Sequence, residues 1–131
     1  MATGNSGNVC VGVVDDDESL RRSLARLLRA AGMQAITYAS AEAFCADPKQ
    51  PRFDCLVLDV QLPGMSGVDL RNRLAAEGVA TPVLFVTAHD DSRAREAAMA
   101  GRCLGYFRKT DAGTAILAAI RGAVAPPLIG Q

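Results

Sequence analysis

Short, continuous apolar runs rich in β-branched residues alternate along this chain with longer stretches in which apolar residues recur every three or four positions. The first run, NVCVGVV at 8–14, has the length and composition of a buried strand. Leu20, Leu24, Leu27, Leu28 and Ala31 then fall on one helical face, and Gly32 ends that helix. AITY (35–38) is a brief second strand, and SAEAFCAD (40–47) a short helix opened by Ser40 and stopped by Pro48. FDCLVLDV (53–60) is a third strand, followed by QLPGMSG (61–67), whose Pro63, Gly64 and Gly67 mark a turn. Ser66 and Asp69 form an S-x-x-D capping box for the helix GVDLRNRLAAEG (67–78), which closes at Gly78. TPVLFVTA (81–88) and DSRAREAAMAG (91–101) make the fourth strand and helix, CLGYFRK (103–109) and DAGTAILAAIRGA (111–123) the fifth. Five strand–helix units in alternation predict an α/β fold. The sheet is parallel, covered by helices on both faces and joined by right-handed crossovers.

At 131 residues the chain makes one domain, long enough to bury roughly two thirds of the surface its unfolded form exposes. Half of it is apolar and its formal net charge is zero, which excludes wholesale disorder and a general electrostatic attraction to nucleic acid or anionic membrane. The basic residues are lopsided: all but two of the 14 are arginine, the exceptions being Lys49 and Lys109. Cys10, Cys45, Cys55 and Cys103 show neither a C-x-x-C pair nor a nearby His, so they read as reduced core thiols and not as a zinc site. The opening MATGNSG is polar, and no apolar run approaches the ~20 residues of a membrane helix. The expectation is a cytoplasmic protein without membrane contact. Residues 1–7 read as a flexible N-terminus, 8–123 as the folded domain, and 124–131 as a tail or the start of a linker.

In open α/β sheets ligands bind beyond the carboxyl ends of the strands. The residues at those ends are Asp15 and Asp16, then Asp59, Thr87 and Lys109. Three carboxylates, a hydroxyl and one of the two lysines thus converge on one edge. Neighbouring carboxylates in a partly desolvated site repel by on the order of a few kcal/mol. A hard divalent cation offsets that repulsion, and Mg²⁺ (or Mn²⁺) suits an oxygen-only donor set. Lys109 adds a further neutralising charge. A cation beside a carboxylate, with an ammonium and a hydroxyl opposite, is what a phosphoryl group needs to land on that carboxylate. Helix capping is the plainer reading of Asp15 and Asp16, but one acid suffices for it. Asp17 and Glu18 read as solvated acids of a first helical turn.

VVDDD, CLVLDVQLPGMSG, PVLFVTA and GYFRK, in this order and spacing, resemble the receiver domain of two-component response regulators, from about Asn8 to Ala123. LDVQLPGMSG resembles regulators of the nitrogen-fixation type in particular. The resemblance implies a flavodoxin-like (βα)5 sandwich whose five-stranded parallel sheet has the order 2-1-3-4-5. It implies that Asp59 accepts a phosphoryl group from a phosphohistidine on a sensor histidine kinase or a histidine phosphotransfer protein. Asp16, Asp59 and the backbone carbonyl of Gln61 would ligate Mg²⁺ directly, and Asp15 through a water. Lys109 would contact Asp59 at rest and a phosphoryl oxygen afterwards. Thr87 would swing to the new phosphate and Tyr106 rotate inward to follow it. The surface read by partners, or by a second copy of the chain, would comprise the fourth helix, fifth strand and fifth helix. Arg93, Arg95, Arg102 and Arg108 crowd that region, and a solvated basic face accounts for them equally well. Such a protein is no enzyme beyond its own phosphorylation and dephosphorylation. It meets DNA only if an output domain follows.

His89 and Gln61 each stand two residues beyond a site residue, where the resemblance implies control of the phosphoaspartate lifetime; an exposed loop histidine is the plainer reading. Receivers usually carry a proline after the lysine, with a cis bond that helps aim it. Thr110 stands there instead, and since a non-proline cis bond costs about 3 kcal/mol, a trans bond is expected. Thr110 or Asp111 could then cap the fifth helix. The departure leaves open a receiver-like module that works without phosphorylation. A Mg²⁺-dependent aspartyl phosphatase of the haloacid-dehalogenase type fits less well, because it wants an acid where Gln61 stands. VCVGVVDDD lacks the G-x-G-x-x-G of a dinucleotide site and would set acids against a pyrophosphate.

Overall fold

In the computed structural model, which describes residues 9–111 and 113–124, each apolar run becomes a strand and each amphipathic stretch a helix. The order is β1 (Cys10–Val14), α1 (Glu18–Ala30), β2 (Gln34–Tyr38), α2 (Ala41–Ala46), β3 (Cys55–Asp59), α3 (Gly67–Ala76), β4 (Val83–Thr87), α4 (Ser92–Met99), β5 (Gly105–Arg108) and α5 (Gly113–Val124). The strands form one parallel sheet in the order β2-β1-β3-β4-β5. β1, β3 and β4 are buried along their whole length, because helices cover both faces.

Strand residues alternate between two cores. Val11, Val13, Val57, Leu84 and Val86 pack with Leu24 and Leu28 of α1 and Ile116 and Ile120 of α5. Val14, Leu56, Leu58 and Phe85 pack with Phe44 of α2, Leu70 of α3 and Ala98 of α4. Because all five strands run parallel, their carboxyl ends open onto the same edge.

The helix boundaries follow local chemistry. Gly32 and Gly78 take positive φ (85° and 79°) directly after the C-caps of α1 and α3. Ser66 and Asp69 form the expected capping box, with Asp69 N–H donating to Ser66 Oγ at 3.0 Å and Ser66 N–H to Asp69 Oδ2 at 3.3 Å. Asp17 is exposed as expected, but it is the N-cap of α1, accepting from the N–H groups of Ser19 and Leu20, and not a residue of the first turn. β5 is shorter than expected and begins at Gly105. Val124 still belongs to α5, so the tail placed at 124–131 begins no earlier than 125. The expected flexible segment 1–7 and the remainder of the tail lie outside the described residues.

The cysteines are free, with Cys10 and Cys55 buried and Cys103 half-buried; Cys45 is exposed on α2 and so is not the core thiol expected. Burial pushes the Cys55 thiol up to about 12, which keeps it protonated and unreactive. No helix among the described residues is long and apolar enough to cross a membrane.

Candidate functional site

Parallel register brings the strand ends together. Asp59 sits opposite Val86, and Thr87 opposite Arg108, so the residues after β1, β3, β4 and β5 share one edge. Asp15, Asp59 and Thr87 are buried, Asp16 is exposed, and Lys109 reaches in from the rim. The loop after β3 passes tightly over this edge: Gly67 N–H donates to Val60 O at 3.2 Å, and a Cβ on Gly67 would collide with the Asp59 carbonyl. Glu42 of α2 steadies the same loop by accepting from Met65 N–H at 2.7 Å.

Lys109 Nζ lies 2.9 Å from Asp59 Oδ2 and 2.9 Å from Asp15 Oδ1. The second contact was not foreseen from sequence. No cis peptide bond occurs among the described residues, so Lys109 is aimed at both carboxylates without a cis bond before Thr110. Its own N–H, donating to Thr87 O at 2.9 Å, fixes its backbone to β4. Asp111 turns its carboxylate back to the Arg108 N–H at 2.9 Å, which closes the turn after β5.

The remaining lone pairs are distributed unevenly. Asp59 Oδ1 accepts from Gln61 N–H at 3.0 Å, and Asp15 Oδ1 also accepts from Asp17 N–H at 2.8 Å. Asp15 Oδ2 is buried and has no partner. Burial, with the Asp15 charge adding to it, pushes the Asp59 carboxyl up to about 6 against the opposing hydrogen bonds from Lys109 and Gln61. For Lys109 burial disfavours the charge, but the hydrogen bonds to Asp15 and Asp59 outweigh it and raise its pKa above the ordinary lysine value.

One oxygen each from Asp15, Asp16 and Asp59 lie within 4.8 Å of one another. An oxygen-only donor set, a buried carboxylate oxygen without a partner and an elevated carboxyl pKa all fit a hard divalent cation such as Mg²⁺.

The hydroxyl of Thr87 is engaged locally, donating to His89 O at 2.8 Å and accepting from His89 N–H at 3.1 Å. His89 therefore meets Thr87 through its backbone, while the residue itself is exposed, as is Gln61. The Tyr106 hydroxyl is already buried and makes no hydrogen bond. Burial raises its pKa. Thr87 is near enough to oppose that rise, yet no hydrogen bond joins the two side chains.

Asp90, which sequence reasoning passed over, binds Arg95 Nη2 at 3.0 Å and Arg108 Nη2 at 3.2 Å, linking the loop after Thr87 to α4 and β5. The Arg95 guanidinium in turn lies 4.6 Å from the Tyr106 ring centre. The only sequence signal for this cluster is that Asp90 stands five residues before Arg95, in a region crowded with arginine.

A three-layer (βα)5 sandwich with an acidic, lysine-capped pocket at the carboxyl edge of its sheet defines a class of signalling domain, and the comparisons agree with it. The chain matches the family described as the response regulator receiver domain over residues 11–121, and it belongs to that family. It is 37% identical to nodulation protein W of Bradyrhizobium diazoefficiens over 107 residues, covering 82% of this chain and 47% of that protein. It is 35% identical to the transcriptional regulatory protein FixJ of Rhizobium meliloti, covering 86% of this chain and 55% of FixJ. The crystal structure of a response regulator receiver protein from Burkholderia phymatum is 42% identical and superposes with a TM-score of 0.76, over 92% of this chain and 100% of that one. The chain spans about half the length of the curated relatives it matches.

Proposed function

We propose that this receiver domain takes a phosphoryl group onto Asp59 from a phosphohistidine on a histidine kinase or phosphotransfer protein, and that the modification changes its α4–β5–α5 surface. The observation that carries the reading is the meeting of Asp15, Asp16, Asp59 and Lys109, four charges from three strand ends, around a buried oxygen that lacks a partner.

A magnesium ion held by Asp15, Asp16, Asp59 and the Gln61 carbonyl would neutralise the phosphoryl oxygens and hold them in line for transfer. An Asp59 oxygen attacks phosphorus, the P–N bond breaks, and the imidazole keeps the electron pair and takes up a proton. Lys109, already 2.9 Å from Asp59, follows the new phosphoryl oxygen as a compact point charge. The Thr87 hydroxyl must leave His89 O to reach the phosphate. It exchanges a neutral hydrogen bond for a charge-assisted one, a net gain of about 1 kcal/mol, or roughly fivefold in population. Tyr106 needs no large inward rotation, because its hydroxyl is already buried. Gln61 and His89, flanking the site from exposed positions, set how water reaches the phosphoaspartate.

The test is incubation with acetyl phosphate in the presence of Mg²⁺. An intact-mass gain of one phosphoryl group that requires Mg²⁺ and disappears in Asp59→Asn is the expected result. Continuous turnover of small phosphate esters would indicate an aspartyl phosphatase instead, and no response at all a module that works without phosphorylation.

A further inference from the structure

Arg71 of α3 is 3% exposed, yet no carboxylate faces it among the described residues. Its guanidinium donates to backbone carbonyls instead, from Nη1 to Ala98 at 2.7 Å and Arg102 at 2.8 Å, and from Nη2 to Ala97 at 3.0 Å. Nε donates to Asn72 Oδ1 at 2.8 Å.

Ala97 and Ala98 lie in the last turn of α4, whose carbonyls have no partner within the helix and carry the negative end of its dipole. That turn has no basic residue of its own, so α3 supplies the charge. The guanidinium also sits 5.3 Å from the ring centre of Phe85 in β4. Gly101 makes room for it: a Cβ there would come within 2.9 Å of Arg71 Cζ. Burial lowers the Arg71 pKa, but a guanidinium remains charged at any working pH.

The opposite end of α4 is held differently. Asp91 caps it by accepting from Ala94 N–H at 2.7 Å, and Asp90 reaches it through the partly exposed Arg95. These groups belong to the loop that leaves Thr87. One end of α4 is therefore clamped to α3 by charge-assisted bonds, with Phe85 of β4 against the same guanidinium, and the other hangs on the loop that follows Thr87.

We propose that Arg71 is a positioning residue that makes the C-terminal end of α4 a pivot, so that movement of the 88–91 loop on phosphorylation tilts the helix about that end. The inference rests on the phosphoacceptor reading above. A planar fork spread over three carbonyls fixes direction as well as distance, which a lysine cannot do.

Amide exchange followed by mass spectrometry, with and without beryllofluoride and Mg²⁺, tests it on the wild type, Arg71→Lys, Gly101→Ala and Asp59→Asn. In the wild type, exchange over 88–95 should change by about tenfold and exchange over 98–103 by less than about twofold. In Arg71→Lys and Gly101→Ala, each compared with its own unbound state, the change should spread into 98–103. A role in stability alone would raise exchange in the unbound variants without moving the boundary of the response. Equal responses at both ends of α4 in the wild type, or variant responses still confined to 88–95, would overturn the pivot. If beryllofluoride changed no region of the wild type beyond what Asp59→Asn shows, the phosphoacceptor reading would have failed and the pivot with it.

Discussion

Lys109 and Arg71 are two cations drawn into the interior on opposite terms. Lys109 faces two carboxylates, from Asp15 and Asp59, at 2.9 Å each. Arg71 faces none and is held by the carbonyls of Ala97, Ala98 and Arg102. The lysine is a compact charge on a flexible stem that can exchange one oxygen for another, whereas the guanidinium is a rigid fork whose partners must stay where they are. The ionisable, exchangeable partners lie where chemistry is proposed, and the fixed ones where a helix has to be anchored.

Removing the lysine should break this contrast most severely. Lys109→Met leaves two buried carboxylates facing each other, and we expect a loss of about 3 kcal/mol at pH 8 without Mg²⁺, read from urea unfolding. Mg²⁺ should restore part of the loss.

Asp59→Asn should act in the opposite direction. Because its carboxyl is raised to about 6, ionising Asp59 is harder in the folded protein than in the unfolded chain. Metal-free stability is therefore full below the unfolded carboxyl value, about 4, and falls as pH rises through about 6. The Asn variant should be about 2 kcal/mol more stable than wild type at pH 8, with the advantage gone at pH 4. Equal stability of the two proteins at both pH values would contradict this account of the site.

Arg71→Met removes the donors from three carbonyls and should cost about 1 to 2 kcal/mol, equally at pH 5 and pH 8, since its titratable neighbour, the Cys103 thiol, is pushed up by burial and stays protonated at both. A pH-dependent loss would mean that the two cations are not held on different terms. The smallest effect is expected for Asp90→Ala, whose arginine partners are half exposed or more. It should shift the urea midpoint least of the four and lose even that shift in high salt.

Much of the site was legible before the fold, because strands of a parallel sheet announce their ends: Val14, Leu58, Val86 and Arg108 are each followed by a residue that must face the carboxyl edge. The capping box of Ser66 and Asp69 was equally legible, since it spans only three residues. The capping role of Asp17 was missed because four consecutive acids offer several local candidates for one N-cap, and the fold decides among them. Arg71 was not singled out at all. It lies between Leu70 and Asn72 in a helix of mixed polarity, where an arginine ordinarily points to water, and its partners are 26 to 31 residues away.

The amino-acid pattern by itself determined the ten elements, the parallel sheet and the set of polar residues at its carboxyl edge, because strand periodicity and helix caps act between near neighbours. Only the tertiary structure decided that Lys109 bridges Asp15 as well as Asp59, that one Asp15 oxygen is left without a partner, and that a guanidinium from α3 holds the end of α4. Those outcomes depend on which distant groups are brought within about 3 Å in a medium poor in water, where a missing partner is costly and a satisfied one is strong.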